Sequence, residues 1–399
     1  MNKYILLIIN ILLSIVPILS QDTDLPSSFD NKSDFEFRGY ISNMQSVMFT
    51  DVQDEWITDN LFHNRLNFFW YYDKNLSATL QLRNRFMYGQ SIKLNPDFAG
   101  SIDNEENFLD LSLNLFNENS FFFNTAIDRL YLQYTLGKLV FTAGRQRINW
   151  GQTLVWNPND VFNVQNFFDF DYVEKPGSDA IRIQYYPDYT SNLELAAKLD
   201  QDNRLTAAMY YRFNHWSYDF QFLSGILAED DVFGGFGWAG DIKGAGFRGE
   251  ASYFHPLENT ADTSGQFISS VSLDYTFSNS FYALFEGLYN MQPEGIKMEG
   301  FYEYYQGNLD VKKLSFSELN FLMQISYPFT PLLNMSLTGI FFPDVEGYYV
   351  GPTITYSLKN NAELSFVSQI FNGEFPDPLS DNNEKTTLFF GFLRYKFNF

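Results

Sequence analysis

Thr387-Leu-Phe-Phe-Gly-Phe-Leu-Arg-Tyr-Lys-Phe-Asn-Phe399 is the C-terminal stretch of the chain. Written as a strand, it places Thr387, Phe389, Gly391, Leu393, Tyr395, Phe397 and Phe399 on one parity and Arg394, Lys396 and Asn398 on the other. One face is therefore apolar and aromatic, the other wet. An exposed aromatic strand edge invites pairing with other chains. A closed barrel has no edge, and in a bilayer closure also satisfies every backbone N–H and C=O. The stretch predicts an all-β fold, a transmembrane antiparallel up-and-down β-barrel.

Composition agrees. The 399 residues include 44 Phe, 26 Tyr and 6 Trp, yet mean hydropathy is negative. Past residue 20 no apolar stretch reaches helix length. Membrane barrels combine these properties, because an outward apolar band flanked by aromatic girdles surrounds a polar interior. The soluble alternatives, a sandwich or a solenoid, fit less well: no fixed-period repeat is present and the strand patterns are long and uniform. At the other end, Lys3 precedes an apolar run from Ile5 to Leu19, interrupted by Asn10, Ser14 and Pro17. The run is shorter than the roughly 20 residues a spanning helix needs. Residues 1–20 are expected to be a signal peptide, 21–33 a short periplasmic tail and 34–399 the barrel. With no cysteine there is neither a lipid-anchor site nor a disulfide.

Alternation of apolar and polar residues recurs along the chain. Phe35, Phe37, Ile41 and Val47 share one parity against Glu36, Arg38 and Ser42; Leu66, Phe68 and Trp70 oppose Arg65 and Asn67; Ala78, Leu80, Leu82 and Phe86 oppose Gln81, Arg83 and Arg85. About eighteen such segments can be traced, with sixteen as the alternative count. Tight connections at 72–75, 136–138, 188–192, 214–215, 243–245, 277–280, 328–331 and 359–361 alternate with longer ones, as in bacterial barrels with short periplasmic turns. Phe108–Phe116 also alternates, but counting it breaks that rhythm, so it is expected to lie in a loop.

A barrel this wide leaves a water-filled lumen, and residues 21–33 are too few for a folded plug. Inward charge is uneven. Arg38, Arg65, Arg83, Arg85 and Arg129, with Arg145 and Arg147 just beyond, form a basic wall; Glu194, Asp219, Glu250, Asp274, Glu286, Glu318 and Glu363 form an acidic one. Such a field can select solutes by charge. The candidate pore-lining set is Arg38, His63, Arg65, Arg83, Arg85, Arg129, Arg145, Gln146, Arg147, Asp160, Arg182, Glu286 and Glu318. The formal net charge of −22 disfavours nucleic acid as a partner.

Two stretches carry a family resemblance. The C-terminal strand resembles the terminal strand of Gram-negative outer-membrane β-barrels, which implies recognition by the barrel-assembly machinery and a place among outer-membrane lipid and lipopolysaccharide. Gly144-Arg-Gln-Arg-Ile-Asn-Trp-Gly151, followed by Gln-Thr-Leu-Val-Trp-Asn-Pro-Asn-Asp-Val-Phe162, is similar to a family of porin-like barrels related to alginate-export-type channels. That resemblance implies that Arg145 and Gln146 sit at the channel mouth and that 151–179 folds inward to narrow it. Gly144 and Gly151 permit close turns and Pro158 blocks regular structure, so the residues independently favour a fixed irregular loop. Its backbone at membrane depth must line water or protein.

The expected function is passive diffusion of small polar or charged solutes, with no cofactor. Catalysis fits poorly, since His63, His215 and His255 lack a nucleophile or metal-spaced neighbours. The alternative is a non-enzymatic subunit or scaffold of a larger outer-membrane complex, docking partner proteins through aromatic loops such as 291–314.

Overall fold

The computed structural model describes residues 34–53, 55–95, 98, 100, 107–164, 167–168, 174–258, 264–291, 310–376 and 383–399. The expected leader, tail and most of the aromatic loop 291–314 lie outside the described residues. In chain order the strands are β1 (Asp34–Phe49), β2 (Ile57–Tyr71), β3 (Leu76–Gly89), β4 (Ser112–Glu118), β5 (Phe121–Leu136), β6 (Leu139–Gln146), β7 (Ser178–Tyr185), β8 (Asn192–Leu199), β9 (Leu205–His215) and β10 (Tyr218–Leu227). They continue as β11 (Asp231–Ile242), β12 (Ala245–Pro256), β13 (Gln266–Thr276), β14 (Tyr282–Asn290), β15 (Leu319–Thr330), β16 (Leu333–Phe342), β17 (Gly347–Lys359), β18 (Ala362–Pro376) and β19 (Asn383–Asn398). A five-residue helix, α1 (Gln90–Leu94), follows β3.

All pairings are antiparallel, and β19 returns to β1, closing the sheet. The expectation for 108–116 is corrected at its C-terminal part, where β4 forms. It pairs with Phe121–Ala126 on the edge of β5 whose remaining length, Leu130–Leu136, is taken by β6. Two strands thus share one edge end to end. The ring itself has 18 strands, and β4 prolongs it beyond the tip of β6.

Alternation sets the two faces. Ile41, Ile181, Met209, Phe222, Val271 and Met323 are exposed on the outside, whereas Ser42, Gln221, Glu250, Ser270, Ser272 and Glu286 are buried within. Outward rings stack along and across strands, as Phe213 does on Phe222 at 6.3 Å. The tight connections lie on the rim that carries both ends of the ring, because Asp34 at the start of β1 pairs with Tyr71 at the end of β2. Trp216 and Ser217, and Lys243 and Gly244, take positive φ there, the conformation that matches a two-residue turn to strand twist.

The seam is completed by Phe399. Its carbonyl accepts from Gly39 N at 2.8 Å, and its own N–H reaches the Gly39 carbonyl at 2.9 Å. The Phe399 ring covers Gly39 on the outer face, 5.8 Å from Phe37 between ring centroids. A Cβ on Gly39 would stand 2.2 Å from the Arg65 carbonyl oxygen and 2.9 Å from the Phe399 ring. Gly39→Val should therefore displace the ring and cost about 1–3 kcal/mol. Less of the variant should run as the compact, heat-modifiable form on semi-native electrophoresis; an unchanged compact fraction would show that the seam tolerates the side chain.

Candidate functional site: a divided lumen

Between β6 and β7 the chain leaves the wall at Arg147 and returns at Gly177. Gly144 has φ of 116° and approaches the Leu130 carbonyl too closely for a side chain. Gly151 is likewise pressed against Asn157, where a Cβ would lie 2.3 Å from Oδ1. Inside the loop, Arg147 pairs with Asp160 at 2.6 Å and donates to the Asn163 carbonyl, while the Asn163 side chain accepts from Ile148 N at 2.9 Å. Burial pushes the Asp160 carboxyl up to about 6, against the pull of Arg147.

The loop runs along the lumen wall. Trp150 stacks on Tyr210 of β9 at 5.1 Å and donates Nε1 to Glu194 of β8 at 2.9 Å. Asn159 fits against β11 because Gly235 and Gly237 have no side chain; a Cβ there would lie 2.7 and 3.1 Å from its amide atoms. Phe168 packs on Tyr349 of β17 and Phe371 of β18 at 5.1 and 5.0 Å. With Val311, Leu314 and Phe316 from the segment before β15, these residues form an apolar core inside the barrel. Much of the β8–β18 side is therefore lined by protein.

Two buried carboxylates hold the loop's irregular backbone. Glu250 of β12 accepts from the backbone N–H of Gln152, of Thr153 at 2.7 Å and of Asn159 at 2.9 Å. Glu286 of β14 accepts from Leu154 at 3.1 Å, Val155 at 3.2 Å and Trp156 at 2.7 Å. Within the lumen, acceptors for these N–H groups must come from the wall.

Across the lumen, β2, β3 and β5 carry inward arginines. Register places Arg65 directly across from Arg83, and His63 across from Arg85. Like charges facing each other across a ladder are unfavourable. A β-bulge resolves this: Gln81 pairs with Arg129 and Leu82 with Ile127, so Asp128 is the extra residue and turns inward beside Arg129. Asp128 bonds Arg65 and lies 3.5 Å from Arg83. Arg65 also donates to Gln81 at 2.8 Å and Asn67 at 3.2 Å. The returning loop is tied here, since Arg129 donates to the carbonyls of Glu174 and Lys175, and Tyr40 donates its hydroxyl to the Glu174 carboxylate at 3.2 Å. Across the seam, Lys396 lies over the Tyr40 ring at 4.0 Å and Arg394 is 3.9 Å from Glu363. Both extend the basic sector, and both lie on the wet parity of the C-terminal strand.

The remaining candidates sit apart. Arg38 lies at the rim of the termini, half-exposed, 3.4 Å from Glu36 and over the Phe69 ring. Arg182 pairs with Glu194 at 2.5 Å, below Trp150. Gln146 is buried and donates to the Ala180 carbonyl at 3.0 Å, bracing the wall. Two expectations need correction. Arg145 is not a lumen group: it lies opposite Leu130, whose side chain is exposed on the outside, and it brackets Asp179 to the carbonyls of Ile127 and Leu109. The reason is parity, since Thr142 and Gln146 take the inward positions of β6. Glu318 precedes β15, at the end of the wall where its carbonyl accepts from Asn290 N at 2.7 Å. Its strand assignment fails because 311–317 folds inward instead of continuing β15.

The closed ring with an apolar exterior makes this a bacterial outer-membrane β-barrel. No protein-family model and no curated protein matches the sequence. Solved structures do. Pseudomonas aeruginosa OccD3 (OpdP) aligns with a TM-score of 0.55 at 7% identity, covering 97% of each chain. Acinetobacter baumannii OccAB2 gives 0.55 at 10% identity over 94% of this chain and 100% of its own, and OccAB1 gives 0.54 at 8% over 92% and 97%. At such identities the likeness is one of fold, and it carries no relation to alginate-export channels.

Removing Asp128 leaves the buried Arg65 opposed to the partly accessible Arg83 without their shared partner. Asp128→Asn should cost about 3–5 kcal/mol, the usual penalty for breaking a buried pair from one side. Urea unfolding in detergent checks this, and a midpoint equal to the parent's would show that the bulge carboxylate is dispensable.

Proposed function

We propose that the protein is a porin-like channel for passive diffusion of small polar or charged solutes, conducting through the sector lined by β19, β1, β2, β3 and β5. The observation that carries this reading is the division of the lumen: the described residues of the loop from Trp150 to Phe168 pack on the β8–β18 side, whereas the arginines line the other, where the returning residues Glu174 and Lys175 are tied. Rings and rows of charge along a narrow wet path tune which ions pass. Arg83 and Arg85 are the partly accessible members of the row, with Arg65, Arg129 and His63 buried behind them. The fold supports the reading, since an 18-strand ring of the kind shared with the OccD3 and OccAB structures is wide enough for an aqueous path. No chemical step is assigned to it. The outer face sits among lipid and lipopolysaccharide, and the strand ending at Phe399 is the segment offered to the assembly machinery.

Bilayer recording tests this. Parent channels in a salt gradient should show anion preference, and Arg83→Gln with Arg85→Gln should lower the anion-to-cation permeability ratio, by about two- to fivefold, because lumen charge tunes which ions pass. A folded barrel without conductance would reject the channel and leave the complex-subunit reading; conductance with an unchanged ratio would move the selective site elsewhere.

A further inference from the structure

The two acids that hold the loop are nearly inaccessible, Glu286 at 0% and Glu250 at 1% relative exposure. Among the described residues neither has a cation in an ion pair; each instead takes three backbone N–H groups from the loop. A further hydroxyl donor comes to each, from Thr153 at 3.2 Å for Glu250 and from Ser270 at 3.2 Å for Glu286. A carboxylate suits this place because it offers acceptors only. Hydrogen bonds to an ionised acceptor are roughly twice as strong as neutral ones, and their geometry fixes the donors. The strands that carry the acids are paired on both sides along their length, so the wall does not need these side chains to close.

We propose that Glu250 and Glu286 are positioning residues that seat residues 150–159 of the loop against β9–β14 and thereby confine conduction to the basic sector. The inference rests on the channel reading above. Substituting an amide at either acid turns one acceptor oxygen into an N–H2 group aimed at N–H groups, which repels the loop backbone. Release of the loop withdraws Trp150 from Glu194 and opens the acidic side of the lumen. Conductance then rises and anion preference falls together.

The absence of cysteine from the chain allows the seating to be read without reference to conduction. Val161 lies in the loop, is buried in the lumen core, and makes none of the six carboxylate contacts. Val161→Cys should react slowly with a water-soluble maleimide in the parent. Adding Glu250→Gln and Glu286→Gln should accelerate labelling at least about tenfold, as local opening replaces burial, and roughly double single-channel conductance as lumen area is regained. Heat-modifiable electrophoresis confirms an assembled barrel, and if the double variant does not assemble, each single variant is read in the same two assays. Labelling as slow as in the parent, in an assembled variant, overturns the proposal. Fast labelling with no conductance in parent or variant upholds the seating by the two acids and rejects the channel reading. Fast labelling with unchanged conductance overturns the assignment of these acids to the conducting path.

Discussion

The pairing of β1 with β19, from Tyr40 opposite Asn398 to Phe49 opposite Phe389, is the constraint on which the structure depends. In hydrocarbon an unpaired backbone group costs several kcal/mol, so an open edge on either strand would carry that cost at every unpaired group. Closure fixes the residue parity of each strand, because a slip of one residue would turn the lipid-facing rings inward and the arginines outward. The seam also brings the two ends of the sequence into one wall. Lys396 is placed opposite Ser42 and beside Tyr40, so the wall that carries Arg65, Arg83 and Arg85 is built from the first strands and the last.

Closure leaves the interior with a second problem of the same kind. The loop after β6 enters the lumen without regular structure, so its N–H groups need acceptors from the wall. Glu250 and Glu286 supply them. A feature legible as an acidic wall is thus in part a set of backbone acceptors, and Glu194 serves likewise for Arg182 and the Trp150 indole. Their negative charge is satisfied locally. The basic side is handled differently, with one inward aspartate shared between two arginines and further donors turned to Gln81, Asn67 and loop carbonyls.

Period-two alternation made most strands legible, and the rhythm of short and long connections predicted the ring of 18. Where the reading failed, the strand stopped being regular. Asp128 escaped notice because a bulge puts two successive residues on one face, which alternation cannot express. Arg145 falls on the outward parity of β6, a phase that the quoted Gly-Arg-Gln signature alone does not set. Glu318 was placed by extending β15 too far toward its N-terminus. β4 carried a true alternating signal, yet its partner edge is visible only once β6 is seen to pair with just the far part of β5. The inward loop is legible from Gly144, Gly151 and Pro158, whereas its anchors on β12 and β14 are 97 and 130 residues away and share no local pattern with it.

Glycine placement shows how far wall and loop are matched. In β11 the run Gly234-Gly235-Phe236-Gly237 would weaken an ordinary strand, since glycine packs nothing and costs entropy. Here Gly235 and Gly237 leave room for Asn159, whose amide donates to the Phe236 carbonyl at 3.1 Å and accepts from Ser252 at 2.7 Å. At Gly177 a Cβ would stand 2.7 Å from the Arg129 guanidinium, 2.8 Å from the Asp128 carbonyl oxygen and 3.2 Å from Arg145 Cγ, so the loop rejoins the wall only where it adds no bulk. The strands are thus locally thinned where the loop touches them. A barrel wall shaped to its own loop at both the anchored and the returning end holds that loop in one arrangement, and the shape of the remaining lumen follows from it.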